Sequence, residues 1–206
     1  MMETCKQQAG NKDTLATDDM SSQGMHGGQE ATEQRSDEER DMNQLRRIHQ
    51  AAQNLLDVLK QKKLHISMAE SCTGGMIASA LVDLSGASDV FEEGYVTYSN
   101  RVKQKLLGVK SETLERYTVV SSQTAAEMAE GVHARTGAEL TIAVTGYAGP
   151  DDGEDGTPAG TVYIGTWYAG DTQSRHYCFD GDRNSCRRQA VEAAFTFALE
   201  RIRQSG

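Results

Sequence analysis

Apolar residues occur along this chain either at helical spacing or in nearly continuous runs, and these two patterns predict its helices and strands. Leu45 to Leu59 shows helical spacing, with a polar, acidic start at Ser36. Leu64–Ala69 and Leu140–Val144 are nearly continuous apolar runs, which are typical of strands buried on both faces. Helical spacing also predicts three further helices, with inward positions at Met76, Ile77, Ala80, Leu81 and Leu84, at Ala125, Met128, Ala129 and Val132, and at Val191, Ala194, Phe195, Ala198, Leu199 and Ile202.

Three more segments have the composition or alternation of strands. Gly94–Tyr98 is aromatic and β-branched, and Gly160–Ala169 alternates between apolar and polar residues. Gly170-Asp171 then marks a hairpin turn, with Arg175–Phe179 as the returning strand. Strands and helices that alternate, followed by a hairpin, predict a single α/β domain of three layers, α/β/α, with a mixed sheet.

The first 41 residues differ in composition from the remainder. Leu15 is the only large aliphatic residue among them, none is aromatic, and ten Asp and Glu stand against four Lys and Arg. Such a segment buries too little apolar surface to offset the entropy of ordering it, so residues 1–41 are predicted to be a disordered acidic tail. The folded domain is therefore expected to span residues 42–206.

Charge and apolar content exclude several classes of partner. The tail carries −6 of the chain's net charge of −9, so the folded part is nearly neutral and has no basic stripe for nucleic acid. No apolar run approaches the ~20 residues of a membrane-spanning helix. The N-terminus has no apolar segment of the signal-peptide kind, so a cytoplasmic protein is expected.

Polar, glycine-marked segments follow three of the predicted strands. They are Glu70–Gly75, Tyr98–Lys103 and Thr145–Asp152. Ligands bind at the carboxyl ends of strands in open α/β sheets, so the three segments predict one site. The first of them leads into a helix expected to start at Gly74, whose unpaired N–H groups would favour an anion.

Ser71, Cys72, Thr73 and Ser99 are the candidate nucleophiles of these segments. No histidine lies in them, so a Ser–His–Asp triad is not expected. Lys103 is an alternative base, provided that its amine is neutral. Enclosure and the positive end of the helix at Gly74 would lower its pKa from about 10.4 to roughly 7–8.

Each of these residues also has a purely structural interpretation. Ser71 and Thr73 could cap the following helix, as Ser and Thr commonly do. Lys103 could be a solvated charge, and Cys72 a small buried apolar group. Arg183 could help to cap the last helix or could bind a phosphate.

Five motifs in order resemble the C-terminal domain of CinA, the competence/damage-inducible protein, and its stand-alone relatives, the nicotinamide-nucleotide amidases. The likeness covers roughly residues 44–204. The motifs are Ala69-Glu70-Ser71-Cys72-Thr73-Gly74-Gly75, Gly94-Tyr95-Val96-Thr97-Tyr98-Ser99-Asn100 with Lys103, Thr145-Gly146-Tyr147-Ala148-Gly149-Pro150, Pro158-Ala159-Gly160-Thr161-Val162 and Phe179-Asp180-Gly181-Asp182-Arg183.

The resemblance implies hydrolysis of nicotinamide mononucleotide to nicotinate mononucleotide and ammonia, without a metal or another cofactor. Ser71 looks like the nucleophile, with Thr73 as the alternative attacking group, Lys103 looks like the base and Tyr98 looks like an orienting group in catalysis. A homodimer is expected for a domain of this type. The substrate-binding residues that the resemblance implies are Thr73, Gly74, Gly75, Asn100, Thr145, Gly146 and Arg183.

Departures from the family pattern keep two other functions open. Tyr147 stands where the family usually has an aliphatic residue, and Thr145 where it usually has Ser, so a pyridine-nucleotide-binding module without turnover is one alternative. A thiol amidase with Cys72 as nucleophile is another. Residues 1–41 are too short and too polar to be the N-terminal domain of CinA, so no activity of that domain is expected.

Overall fold

The computed structural model describes the backbone of residues 26–204 and the side chains of residues 38–204. A short 3₁₀ turn, Ala87–Asp89, lies between the second helix and the second strand. The remaining elements are α1 (His26–Lys62), β1 (Ile66–Glu70), α2 (Met76–Val82), β2 (Phe91–Val96), α3 (Asn100–Leu107), α4 (Ser111–Tyr117), α5 (Ser122–Thr136), β3 (Leu140–Gly146), β4 (Thr161–Tyr168), β5 (Asp171–Cys178) and α6 (Arg183–Gln204).

The five strands form one mixed sheet in the order β2-β1-β3-β4-β5. β2, β1 and β3 run parallel, whereas β4 and β5 are antiparallel to their neighbours. β3 lies in the middle, and every residue from Leu140 to Thr145 is buried, as its continuous apolar run predicts.

Helices cover both faces of this sheet. Ile142 and Leu140 point into a core shared with Leu55 of α1 and Phe195 of α6. Ala143, on the opposite face of the same strand, packs in a second cluster with residues of α5 and the end of α3. The α/β/α layering and the mixed sheet are therefore confirmed.

The inward positions predicted for α5 and α6 are all buried. In α1 the apolar stripe is buried from Ile48 onward, whereas Leu45, the first residue of the helical spacing, is 49% exposed. At that level of the helix Gln44 makes side-chain hydrogen bonds to Ser185 and Arg188 of α6, so the contact is polar.

The start of α1 differs from the sequence prediction. The helix begins at His26, ten residues before Ser36. Glu, Gln, Ala and Arg dominate these residues and are strong helix formers, so propensity extends the helix beyond the predicted cap. Residues 1–25, most of the predicted tail, lie outside the described residues. The chain divides into two compact units, residues 1–43 and 44–206.

Two strand boundaries are also corrected. β2 pairs with β1 from Phe91 to Val96, so the predicted strand Gly94–Tyr98 is shifted and Tyr98 lies in the loop that follows. β5 begins at Asp171, directly after the turn, because it pairs with β4 along its whole length. Between residues 26 and 204, no helix combines the length and apolar character that crossing a membrane requires.

Candidate active site

The three predicted segments meet at one edge of the sheet. Because β1, β2 and β3 are parallel, their carboxyl ends lie side by side, and the loops that follow them surround a cavity of about 190 Å³. Seven residues that the sequence named as candidates for catalysis or binding line this cavity: Ser71, Cys72, Tyr98, Asn100, Thr145, Gly146 and Arg183.

Lys103 lies behind the cavity wall and contacts the candidate nucleophile. Its Nζ is 2.9 Å from Ser71 Oγ, 2.8 Å from the carbonyl oxygen of Thr97 and 3.4 Å from that of Tyr98. Lys103 is 0% exposed and Ser71 is 8% exposed, so the interpretation of Lys103 as a solvated surface charge is wrong. Ser71 therefore lines the cavity, and its hydroxyl group is hydrogen-bonded to the Lys103 amine.

Burial determines the protonation of this amine. It lowers the pKa of Lys103 to about 8, and the neighbouring Cys72 thiol acts weakly in the opposite direction. The hydrogen-bond partners of Nζ are a hydroxyl and two carbonyl oxygens, none of which carries the negative charge that would hold a proton on it. A substantial fraction of Lys103 is therefore neutral near pH 8.

The turn between β1 and α2 is occupied by a side chain of the protein itself. The Glu70 carboxylate accepts hydrogen bonds from the backbone N–H groups of Gly75, Ile77 and Ala78 at 2.9, 3.1 and 2.9 Å. The helix begins at Met76 and not at Gly74, with Gly75 as its N-cap. The prediction of a free anion site at this helix start is therefore wrong, because an internal carboxylate at the end of β1 already fills it.

Neither hydroxyl of this turn caps the helix. The N-cap is Gly75, and the N–H groups at the helix start bond to the Glu70 carboxylate, so the capping interpretation of Ser71 and Thr73 is wrong. Thr73 is 0% exposed, and its Oγ1 has no hydrogen-bond partner among the described residues. Thr73, Gly74 and Gly75 lie outside the cavity wall. The geometry thus favours Ser71 over Thr73 as the attacking group.

Other predicted residues shape the cavity. Thr145 Oγ1 donates to the carbonyl oxygen of Val119 at 2.7 Å and so fixes the loop before α5, which forms part of the wall. A side chain at Gly146 would lie 2.7 Å from the backbone of Thr161 in β4, so glycine is required there. Asn100 forms the wall at the first residue of α3.

Arg183 lies at the wall of the cavity, at the first residue of α6. Its Nη1 donates to the carbonyl oxygen of Gly149 at 2.6 Å, and its Nη2 is 3.4 Å from the Tyr98 hydroxyl. Tyr98 is 63% exposed and Arg183 is also exposed, so both can meet a ligand that enters. Asp151 lines the same cavity and supplies a carboxylate.

Sequence reasoning missed Arg187 and the valines of the loop before α5. Arg187 Nε donates to the carbonyl oxygen of Cys72 at 3.0 Å, and its Nη2 donates to that of Thr73 at 2.8 Å. Its spacing of one helical turn from Arg183 was the available signal, since residues four apart share a helix face. Val119 and Val120 carry no polar or glycine signal that could have indicated a place in the wall.

Cys72 lies next to Ser71 but is poorly suited to act as a nucleophile. It is 5% exposed, and burial raises the pKa of its thiol to about 11. The thiol is then protonated at neutral pH, and a protonated thiol is a weak nucleophile. The structure agrees with the interpretation of Cys72 as a small buried group.

Known proteins resemble the chain in sequence and in fold. A model of the CinA C-terminal domain family matches residues 48–202. A CinA-like protein of Kosmotoga olearia is 42% identical over 151 residues, which are 73% of this chain and 36% of that protein. This chain spans little more than a third of the length of the curated relatives that it matches.

Solved structures of similar proteins share the fold. The crystal structure of the competence damage-inducible protein A (ComA) of Klebsiella pneumoniae superposes with a TM-score of 0.74 at 37% identity, covering 75% of this chain and 96% of that one. A CinA superfamily protein of Enterobacter cloacae superposes with a TM-score of 0.73 at 31% identity, covering 93% of this chain and 99% of that one.

Proposed function

Because the chain belongs to the CinA C-terminal domain family, we propose that it hydrolyses the carboxamide of nicotinamide mononucleotide to give nicotinate mononucleotide and ammonia. Ser71 is the nucleophile and Lys103 its base. The observation that carries the proposal is the 2.9 Å contact between Lys103 Nζ and Ser71 Oγ, made by a lysine with no exposed surface. A buried neutral amine beside a hydroxyl is the arrangement that activates a serine without a histidine.

In the proposed reaction, two carbonyl oxygens accept the hydrogens of neutral Lys103 and leave its lone pair directed at Ser71. Nζ takes the hydroxyl proton as Oγ attacks the carboxamide carbon, and the tetrahedral intermediate then collapses. The C–N bond breaks, Lys103 returns the proton to the departing nitrogen, and ammonia leaves an ester on Ser71. Water repeats the sequence with Lys103 as base and releases nicotinate mononucleotide.

The charges around the cavity suit a zwitterionic nucleotide. Arg183 offers a guanidinium for a phosphate, and Asp151 offers a carboxylate for the cationic pyridinium ring. The cavity, about 190 Å³, is smaller than the ~300–1,000 Å³ of most ligand pockets, so we propose that it encloses the carboxamide ring and leaves the phosphate at its mouth.

The test is ammonia release from nicotinamide mononucleotide by the purified protein. Ser71→Ala and Lys103→Met should each lower kcat by ~10³-fold or more, because a nucleophile and its base act as one unit. Cys72→Ala and Thr73→Val are matched controls in the same turn and should retain activity.

Two results would contradict the proposal in different ways. Ammonia release that survives in Ser71→Ala would refute the proposed Ser71–Lys103 mechanism. Saturable binding of the nucleotide to the wild-type protein without any ammonia would instead support a binding module.

A further inference from the structure

Among the described residues, one side chain of helix α6, that of Arg187, donates hydrogen bonds to the turn that carries Ser71. Arg187 places Nε 3.0 Å from the carbonyl oxygen of Cys72 and Nη2 2.8 Å from that of Thr73. A side chain at position 74 would approach Nη2 to 3.4 Å, and the backbone of Gly74 has φ of +62°. Two adjacent carbonyls bound by one planar guanidinium are fixed in direction as well as in distance.

The same turn is held from its other side by Glu70. The carboxylate takes three N–H groups of the helix start, and the N–H of Ser71 itself donates to the carbonyl oxygen of Val144 at 3.0 Å. Glu70 therefore fixes the helical end of the turn, whereas Arg187 fixes its middle. Without Arg187, the peptide groups that directly follow the nucleophile would lose their only anchors outside the turn among the described side chains.

Cys72, the residue after Ser71, also lines the cavity. In serine hydrolases with a sharp turn at the nucleophile, the N–H of the following residue is an oxyanion donor. The charge of Arg187 also reaches this position. Burial raises the pKa of the Cys72 thiol to about 11, and the guanidinium of Arg187 acts in the opposite direction.

We propose that Arg187 is a positioning residue for the acyl-transfer reaction: it fixes the Cys72 and Thr73 carbonyls so that Ser71 Oγ stays on Lys103 and the Cys72 N–H faces the developing oxyanion. This inference rests on the proposed function. It assigns to Arg187 no contact with the substrate, in contrast to Arg183, which lies one helical turn earlier and lines the cavity. Loss of Arg187 should therefore affect kcat, and loss of Arg183 should affect KM.

The kinetic test compares Arg187→Met and Arg187→Lys with Arg188→Met. Arg188 is adjacent on the same helix, but its Nε donates to Gln44, away from the cavity. Arg187→Met should lower kcat for ammonia release ~10²-fold, as expected for a displaced nucleophile or a lost oxyanion donor, with KM changed less than ~3-fold. Arg187→Lys keeps the positive charge but not the planar guanidinium, so its kcat should lie between those of the wild type and Arg187→Met. The kcat of Arg188→Met should equal that of the wild type.

Chemical rescue separates positioning from general damage to the fold. In Arg187→Ala, added guanidinium should bind in the vacated space and restore part of kcat, and it should have no such effect on Arg188→Ala. An unchanged kcat in Arg187→Met, or a raised KM with normal kcat, would overturn the inference. A defect in Arg187→Ala that guanidinium leaves unchanged would also count against it.

A second readout does not depend on the nucleotide. A fluorophosphonate probe forms a bond between Ser71 Oγ and phosphorus as fluoride leaves and the hydroxyl proton passes to Lys103, and mass spectrometry locates the label. Arg187→Met should slow labelling of Ser71, whereas Arg188→Met should not. Slowed labelling in a protein that releases no ammonia would leave the positioning role standing and the proposed substrate refuted. Normal labelling in Arg187→Met would refute the positioning role, and a wild type that shows neither reaction would refute both.

Discussion

Lys103 is the residue on which the proposed chemistry of this site depends. An ammonium group inside a protein is costly unless a negative charge pairs with it, and the partners of Nζ are three neutral oxygen atoms. The fall of its pKa from 10.5 to about 8 corresponds to about 3 kcal/mol in favour of the neutral amine. The same burial that would weaken the fold at neutral pH favours the neutral amine that the proposed mechanism requires beside Ser71.

This burial predicts a stability that depends on pH. Between pH 8 and 10.5 the folded protein binds fewer protons at Lys103 than the unfolded chain does, so Lys103 contributes a rise in the free energy of unfolding across that window. The raised pKa of Cys72 acts in the opposite direction above about pH 9, so the contribution of Lys103 is the difference between the wild type and Lys103→Met. The gain, about 3 kcal/mol, is complete above the unfolded pKa and is lost as the pH falls through the folded pKa. Urea denaturation from pH 7 to 10.5 measures it.

Lys103→Met should abolish that rise and unfold at neutral pH with a free energy no lower than that of the wild type. Lys105→Met, on the exposed side of the same helix, is the matched control and should keep the wild-type slope. A parallel pH dependence in wild type and Lys103→Met would show that Lys103 titrates normally in the folded protein.

At the scale of secondary-structure elements, the N–H groups at the start of α2 are already bound by a side chain of the protein and are therefore not available to a ligand. The unpaired N–H groups of a helix N-terminus attract anions, and here the last residue of the preceding strand supplies that anion. The Glu70 carboxylate is 1% exposed, so the arrangement is internal to the fold. The turn is thereby held rigid beside the cavity instead of binding a ligand directly.

Glu70→Gln should destabilise this element. One carboxylate oxygen becomes an NH₂ group that faces backbone N–H donors, so at least one buried hydrogen bond is lost at a cost of about 1–3 kcal/mol. Chemical denaturation should detect this loss, and ammonia release should fall because the turn of Ser71 moves. Glu115→Gln, exposed on α4, is the control. A Glu70→Gln protein with unchanged stability and activity would contradict the assigned role.

At the scale of the molecule, the sequence is sufficient to predict the α/β/α layers and the edge of the sheet at which the candidate site lies. The burial of β3, the inward faces of α5 and α6, and the three polar segments at the carboxyl edge could all be predicted because each depends on local periodicity and on strand direction. The contact between Lys103 and Ser71 joins residues 32 positions apart. The three converging segments made Lys103 a candidate base, and the family motifs paired it with Ser71.

What could not be predicted depends on contacts between distant parts of the chain. Arg187 meets Cys72 across 115 positions. Its spacing of four residues from Arg183 indicates a shared helix face, but no local pattern indicates which carbonyl groups it binds. Leu45 is exposed because the facing residues of α6 are polar, which the apolar spacing of α1 cannot reveal. The Glu70 carboxylate binds the N–H groups at which an external anion was expected. Residue spacing does not show whether a side chain can reach those groups, because this depends on the three-dimensional conformation of the turn.

The division of the chain predicts that its first unit is dispensable for the reaction. Residues 44–206 form the second compact unit and contain every residue assigned to the site. A protein that starts at Gln44 keeps the buried stripe of α1 from Ile48 onward, so it should release ammonia at the wild-type rate and unfold at a similar temperature. A loss of activity in a folded truncated protein would assign a role to residues 1–43.

The pH dependence of kcat/KM for ammonia release from nicotinamide mononucleotide tests the central claim most directly, because it reports the ionisation of the free enzyme. With neutral Lys103 as the base, kcat/KM should rise about tenfold per pH unit at low pH and level off above a midpoint near the lowered pKa of about 8. A profile that is flat from pH 6.5 to 9.5, or one that rises only toward the ~10.4 of an ordinary lysine, would contradict it.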